Sequence, residues 1–377
     1  MDNRKIHLDF IRGMAAIMVL LEHLRSFFFV NYSQVDHPGP IDKIFYFMTG
    51  FGHEAVMVFF VLSGYFIGSS VYKSINQRKW SWPEYGLRRM ARLWIVLIPA
   101  LLLTFLLDSS GMLLHGSSGY DGRFNEIINS GPSTNEPANL SPSCLAGNVF
   151  FLQTIRCPVY GTNGPIWSLA YEFWYYLLFP LLFLTIVSYY SLKWRIAAGL
   201  CFLFLFLFLI EPIRWDGLIW LMGFGAYFCS VNKNLKIIVC NRYLALAAAL
   251  LSMACLFLMR KLNSNYLDFV LGLTFACMVP YLADQKPRSV FYDKSSEKLS
   301  SMSYTLYLVH FPFLAFLFFV FRLPYRSQPT FLEYVLYAFL CFCVLIYAWI
   351  VWFLFERRTD EFRLAFKEMF KRWGITF

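Results

Sequence analysis

Charge is scarce in this chain. Asp, Glu, Lys and Arg make up 15% of 377 residues, against about 25% in ordinary soluble domains, while 58% are hydrophobic and 20% aromatic. That stock could not cover a water-exposed surface, so a soluble globular enzyme is excluded. Also missing are an internal repeat, a glycine-rich phosphate loop, a Cys or His cluster with metal-ligand spacing and a Gly-x-Ser-x-Gly elbow. No resident metal or cofactor is therefore expected. A cleavable signal is not expected either: the first apolar run exceeds about 20 residues, too long for a signal core, and has no small-residue cleavage site.

What is present is apolar sequence in bilayer-length pieces of about 20 residues. Windows fall at 8–30, 54–72, 93–107, 166–190, 195–210, 217–231, 243–259, 266–283, 303–321 and 331–355, three of them short or interrupted by Pro99 or by Gly217, Gly223 and Gly225. The expected fold is an all-α polytopic membrane protein, a bundle of about ten helices. With the N-terminus inside, 23 of the 33 basic residues fall in cytoplasmic segments and eight in external ones, and Arg12 and Arg25 remain within the first span. Basic residues are retained on the cytoplasmic side during insertion, so this sorting predicts both termini in the cytoplasm. The net charge of +10 is then an insertion signal, and a nucleic-acid partner is not expected. The division that follows is a transmembrane domain over 1–356, containing an external loop 108–165, and a basic tail 357–377.

Chemistry must come from polar residues within the spans, which are costly at membrane depth and rarely idle. The first helix carries Asp9, Arg12, Glu22, His23 and Arg25. Arg12 and His23 are eleven residues apart, which returns to within about 20° of one face and separates them by about 16 Å. Asp9 is one turn before Arg12 and close enough to pair with it. His23 has a proton affinity near neutral, suited to a general base on a hydroxyl or to a transient acyl acceptor. Taken singly, these residues could be anchors and a satisfied interior histidine; five in one span point to a site.

Further candidates repeat the pattern. Trp167 suits an interfacial belt, and Ser168 and Glu172 share a helix face at i, i+4; Glu172 could orient His23, bind a sugar hydroxyl or bridge two helices. Ser303, Tyr307 and His310 form a polar stripe that could line substrate or seal a helix seam. Arg89 and Arg92, one turn apart, could serve topology or clamp a phosphate. Of nine cysteines, seven lie in or beside helices as small apolar filler; Cys144 and Cys157 lie in the external loop, where a disulfide is permitted if that side is oxidising.

Several of these motifs together resemble the acyltransferase 3 family of integral membrane acyltransferases, whose members O-acylate cell-surface glycans, lipid-linked sugars and some small molecules. The likeness rests on Leu8-Asp9-x-x-Arg12-Gly13 with Arg-x10-His spacing to His23, Phe59-Phe60-Val61-Leu62-Ser63-Gly64, the Arg89 and Arg92 pair, Trp167-Ser168-Leu169 with Glu172, and Ser303-Tyr304 through Tyr307-Leu308 to His310. It departs at Ala55, where Gly is expected, and at Glu22, which could raise the basicity of His23. No extra hydrolase-like domain is expected after the tenth span.

The resemblance implies acetyl-CoA or another acyl-CoA as cytoplasmic donor, with Arg12, Arg89 and Arg92 on its phosphates. His23 and Glu172 would be the catalytic pair, with Asp9, Glu22, Trp167, Ser168, Ser303, Tyr307 and His310 supporting or lining the site. The acceptor would be a glycan or lipid-linked sugar, and the setting membrane lipid, in a bacterial cytoplasmic membrane. His23 would lie about 22 Å along its helix, so donor and acceptor would approach from opposite sides. Two rival readings remain: a proton-coupled transporter, for which no inverted halves are visible, and a non-catalytic partner in polysaccharide export. The sequence sets no oligomeric state.

Overall fold

The computed structural model describes residues 4–125, 130–187, 189–262, 266–286 and 289–372. Fourteen α-helices and no strands occur among them: α1 (Ile6–Phe28), α2 (Pro40–Met48), α3 (Gly52–Asn76), α4 (Trp82–His115), α5 (Pro142–Val149), α6 (Trp167–Ile186), α7 (Leu192–Phe208), α8 (Glu211–Val231), α9 (Lys233–Val239), α10 (Arg242–Met259), α11 (Tyr266–Asp284), α12 (Val290–Phe321), α13 (Phe331–Leu354) and α14 (Thr359–Arg372). Each apolar window seen in the sequence is carried by a helix, and among the described residues seven helical stretches are long and apolar enough to cross a membrane. The windows outside that set are α1, with its ionisable residues, α7, with 17 residues, and α8, which opens on Glu211, Arg214 and Asp216.

Two boundaries move. The window 93–107 is the middle of a 34-residue helix, and 303–321 is the second half of a 32-residue one. Segment 290–302 reads as loop by hydropathy because it is polar. Polar residues continue a helix readily where its end meets water. Starts are set locally: the side chains of Ser141, Asn232, Asn241 and Thr330 accept backbone N–H groups that open α5, α9, α10 and α13.

The chain divides into two compact units. The first comprises Met1–Arg12, His53–Trp82 and Tyr171–Ser300. In it α3 and α8 cross backbone to backbone. A Cβ on Gly64 would stand 1.8 Å from the Trp220 carbonyl oxygen, and one on Gly223 would stand 1.9 Å from that of Val61. Only glycine permits such an approach, the small-residue device of packed membrane helices. Gly223, which weakens the apolar window, is thus the seat of a helix crossing.

The second unit comprises Gly13–Gly52, Pro83–Ala170 and Ser301–Phe377. Here α1 packs on α12 through aromatic rings, Phe27 meeting Phe311 at 5.0 Å and Phe318 at 5.7 Å between centroids. The segment between α4 and α6 is shorter than the loop expected at 108–165, because α4 continues to His115, and it is folded around buried polar groups. Asn148, Gln153, Thr162 and Asn163 are all fully buried. Asp108 accepts both the backbone N–H and the hydroxyl of Thr162 at 2.7 and 2.8 Å, and Asn148 binds the carbonyls of Cys144 and Pro158. Pro312 lies inside α12 and has no N–H to give to the carbonyl of Leu308. The Asn163 amide donates to that carbonyl instead, at 2.9 Å. The tail is helical as α14, and Lys367 binds Glu84 of α4 at 3.0 Å.

Candidate active site

The candidate residues fall into one constellation in each unit. In the first unit, the opening of α1 meets the opening of α12. Ser300 donates to Asp9 Oδ1 at 3.1 Å, Arg12 donates to the hydroxyl and the carbonyl of Ser300, and Asp9 lies 3.7 Å from the Arg12 guanidinium. Arg4 adds a bond to Asp9 at 2.8 Å and reaches Asp293 and Glu297. The Asp9 and Arg12 pairing expected from spacing is therefore present, with Ser300 as a bridge that the sequence did not single out. The Arg12 side chain is 24% exposed.

Glu172 belongs to the same unit. Its Oε1 accepts from the hydroxyls of Ser63, at 2.9 Å, and Tyr176. Ser63 in turn accepts the indole N–H of Trp220 at 3.1 Å. The crossing at Gly64 and Gly223 thus presents Ser63 to both partners. Two hydroxyl donors fix one carboxylate oxygen in direction.

In the second unit, His23 Nδ1 and His310 Nε2 are 2.8 Å apart, and His310 Nδ1 is 2.9 Å from the Leu306 carbonyl one turn back in α12. A carbonyl only accepts, so His310 carries its proton on Nδ1 and its Nε2 is an acceptor. The proton between the rings must then sit on His23 Nδ1. What remains on His23 is Nε2 with a free lone pair, the form a base or an acyl acceptor requires. The rings lie 12° from parallel, and Phe311 closes edge-on against His23.

The neighbours of His23 are engaged elsewhere. Glu22 accepts the backbone N–H of Gly52, the first residue of α3, an anion at a helix N-terminus. By this bond it braces α1 against α3. Arg25 lies 5.1 Å over the Tyr46 ring. On α12, the Tyr307 hydroxyl reaches the Pro165 carbonyl at 2.9 Å and Ser168 at 2.7 Å, and Ser303 is buried. Of the two readings left open for that stripe, Ser168 and Tyr307 make a helix seam and His310 faces the candidate base. Trp167 is half-buried at the start of α6. Arg89 lies 5.4 Å over the Tyr85 ring, and Arg92, one turn on, is exposed.

Cys144 and Cys157 are free thiols whose sulfurs lie 3.5 and 3.8 Å from the same Asn148 amide nitrogen. Burial pushes the Cys144 thiol up to about 11, and the charge of Cys157 adds to the shift. Neither is a ready thiolate.

The family model of an acyltransferase domain, acyltransferase 3, matches residues 6–350, nearly the whole chain. No curated protein and no solved structure matches it.

Proposed function

The chain belongs to the acyltransferase 3 family, and on that ground we propose that it moves an acyl group, acetyl by preference, from cytoplasmic acyl-CoA to a hydroxyl of a surface polysaccharide or lipid-linked sugar. The reading places it in a bacterial cytoplasmic membrane, with about ten spans and both termini inside. Its support is the sorting of basic residues and the helix under every apolar window.

The observation that carries the mechanism is the chain from the Leu306 carbonyl through His310 to His23. His23 Nε2 takes the proton of the acceptor hydroxyl as its oxygen attacks the thioester carbonyl. The C–S bond breaks, and the CoA thiolate leaves with the proton returned by His23. His310 stabilises the transient imidazolium by accepting from Nδ1 throughout. The alternative, acyl carriage on His23, would use the same Nε2 lone pair. Arg12 is assigned to a donor phosphate, for which a guanidinium fork is suited, and the Arg89 and Arg92 pair is a second candidate for the same chemistry. Glu172 is assigned to support the reaction with the oxygen not held by Ser63 and Tyr176, toward the acceptor hydroxyl.

Purified protein given acetyl-CoA and a glycan acceptor should release free CoA only when both are present, and the glycan should gain about 42 mass units per acetyl group. No release from a folded, membrane-inserted protein with any acyl-CoA would refute the reading and favour a transport or assembly role.

A further inference from the structure

A second basic feature, separate from the arginines, lies in the first unit. Lys5, just ahead of α1, Lys73, near the end of α3, and Lys236, in α9, line one cavity of about 250 Å³ together with Tyr65, Tyr227, Ser230, Cys240 and Asp284. Three ammonium groups from three distant segments share a space smaller than the roughly 300–1,000 Å³ of pockets that enclose whole drug-sized ligands. Like charges gathered this way repel, so their convergence costs stability unless an anion joins them.

The groups already present do not balance the charge. Lys5 donates to the Ala283 carbonyl at 2.9 Å, a neutral partner that fixes its direction. Lys73 lies 5.9 Å over the Tyr227 ring and makes no ion pair among the described residues. Lys236 stands 3.9 Å from Asp284, at the limit of a pair, and both are more than half exposed. One carboxylate against three ammoniums leaves two positive charges, the complement of a phosphate dianion. Their closeness shows at Cys240, whose thiol is pushed up by burial and by Asp284 and drawn back down by both Lys236 and Lys5. The hydroxyls of Tyr65 and Ser230 in the wall offer neutral hydrogen-bonding groups.

We propose that the Lys5, Lys73 and Lys236 pocket binds a phosphate group. Its assignment to a phosphate at the nucleotide end of the donor rests on the function proposed above. Lys5 precedes Arg12 by seven residues, within about 20° of the same face of α1 and about 10 Å along it. Two phosphates of one extended donor would thus meet one stripe of one helix. The same chemistry could be supplied by the headgroup of an anionic phospholipid, and the test separates the two.

Full-length protein in detergent is titrated with inorganic pyrophosphate, CoA and 3′-dephospho-CoA, and reconstituted with phosphatidylglycerol or phosphatidylcholine, for the wild type and for Lys73→Gln, Lys236→Gln and the double variant. Unliganded melting temperatures report folding. We expect CoA affinity to fall about tenfold per lysine, the loss of one charge-assisted contact, and the variants to bind CoA and 3′-dephospho-CoA alike. If CoA binding is unchanged but stabilisation by phosphatidylglycerol is lost, the pocket stands with lipid as the source. If the wild type binds no CoA yet pyrophosphate stabilises it and not the double variant, the pocket stands and the donor reading falls. Equal responses of the wild type and the double variant to every phosphate probe would overturn the proposal.

Discussion

The two ends of α1 hold their key side chains by opposite means. Around Arg12 the partners are formal charges and a bridging hydroxyl, with Asp9, Arg4 and Ser300 in one network. Around His23 the partner is another neutral ring, itself fixed by a backbone carbonyl. Charge is used where it meets solvent and can meet a charged substrate. Deeper in the helix, a carboxylate behind the histidine would be expensive, and a second imidazole sets the tautomer without adding charge. Orientation and charge balance are separate tasks, and this helix assigns them to different residues.

The sharpest way to break the comparison is at His23. His23→Ala should lower CoA release about a thousandfold, within the range of a lost general base, with unchanged yield and melting temperature; near wild-type turnover would remove His23 from the chemistry. His310 comes next. His310→Phe should cost about a hundredfold in kcat with little change in donor KM, whereas His310→Gln, whose amide oxygen can still accept from His23 Nδ1, should recover about tenfold of that loss. Equal kcat in the two variants would mean that accepting from His23 Nδ1 is not what His310 supplies. At the charged end, Arg12→Lys should raise donor KM about tenfold and leave kcat nearly unchanged, because a point charge replaces a fork. A fall in kcat alone would show that the two ends are not divided in this way. The smallest effect is expected outside both networks. Cys144 and Cys157 are free thiols in the structure; if an oxidising compartment joins them, their alkylation should increase on adding reductant, and the double serine variant should in either case keep its turnover. Equal labelling with and without reductant would exclude the bridge.

Much of this was legible in the sequence, for physical reasons. The Arg12 and His23 stripe follows from helical period alone, and the pairing of Asp9 with Arg12 from one turn of spacing. What spacing cannot give is the partner across the bundle. His310 stood out as part of a polar stripe, but its meeting with His23 depends on the register of α1 against α12, 287 residues apart in the chain. Ser300 escaped notice because 290–302 reads as a polar loop, and Ser63 entered only as part of the Phe59 to Gly64 motif, because a lone serine in an apolar run carries no periodic signal. The segment between α4 and α6 reads as a glycine- and serine-rich loop; composition does not reveal that Asn148, Gln153, Thr162 and Asn163 are its interior.

The hydrogen bond from Asn163 to the Leu308 carbonyl, opened by Pro312, gives that segment a mechanical role. The anchor point is two residues before His310 on the same turn of α12. A ligand that displaced the segment at this point would have to break the anchor or drag the turn that aligns the two histidines. The position of the segment and the alignment of the two candidate histidines are then tied together through a single backbone carbonyl.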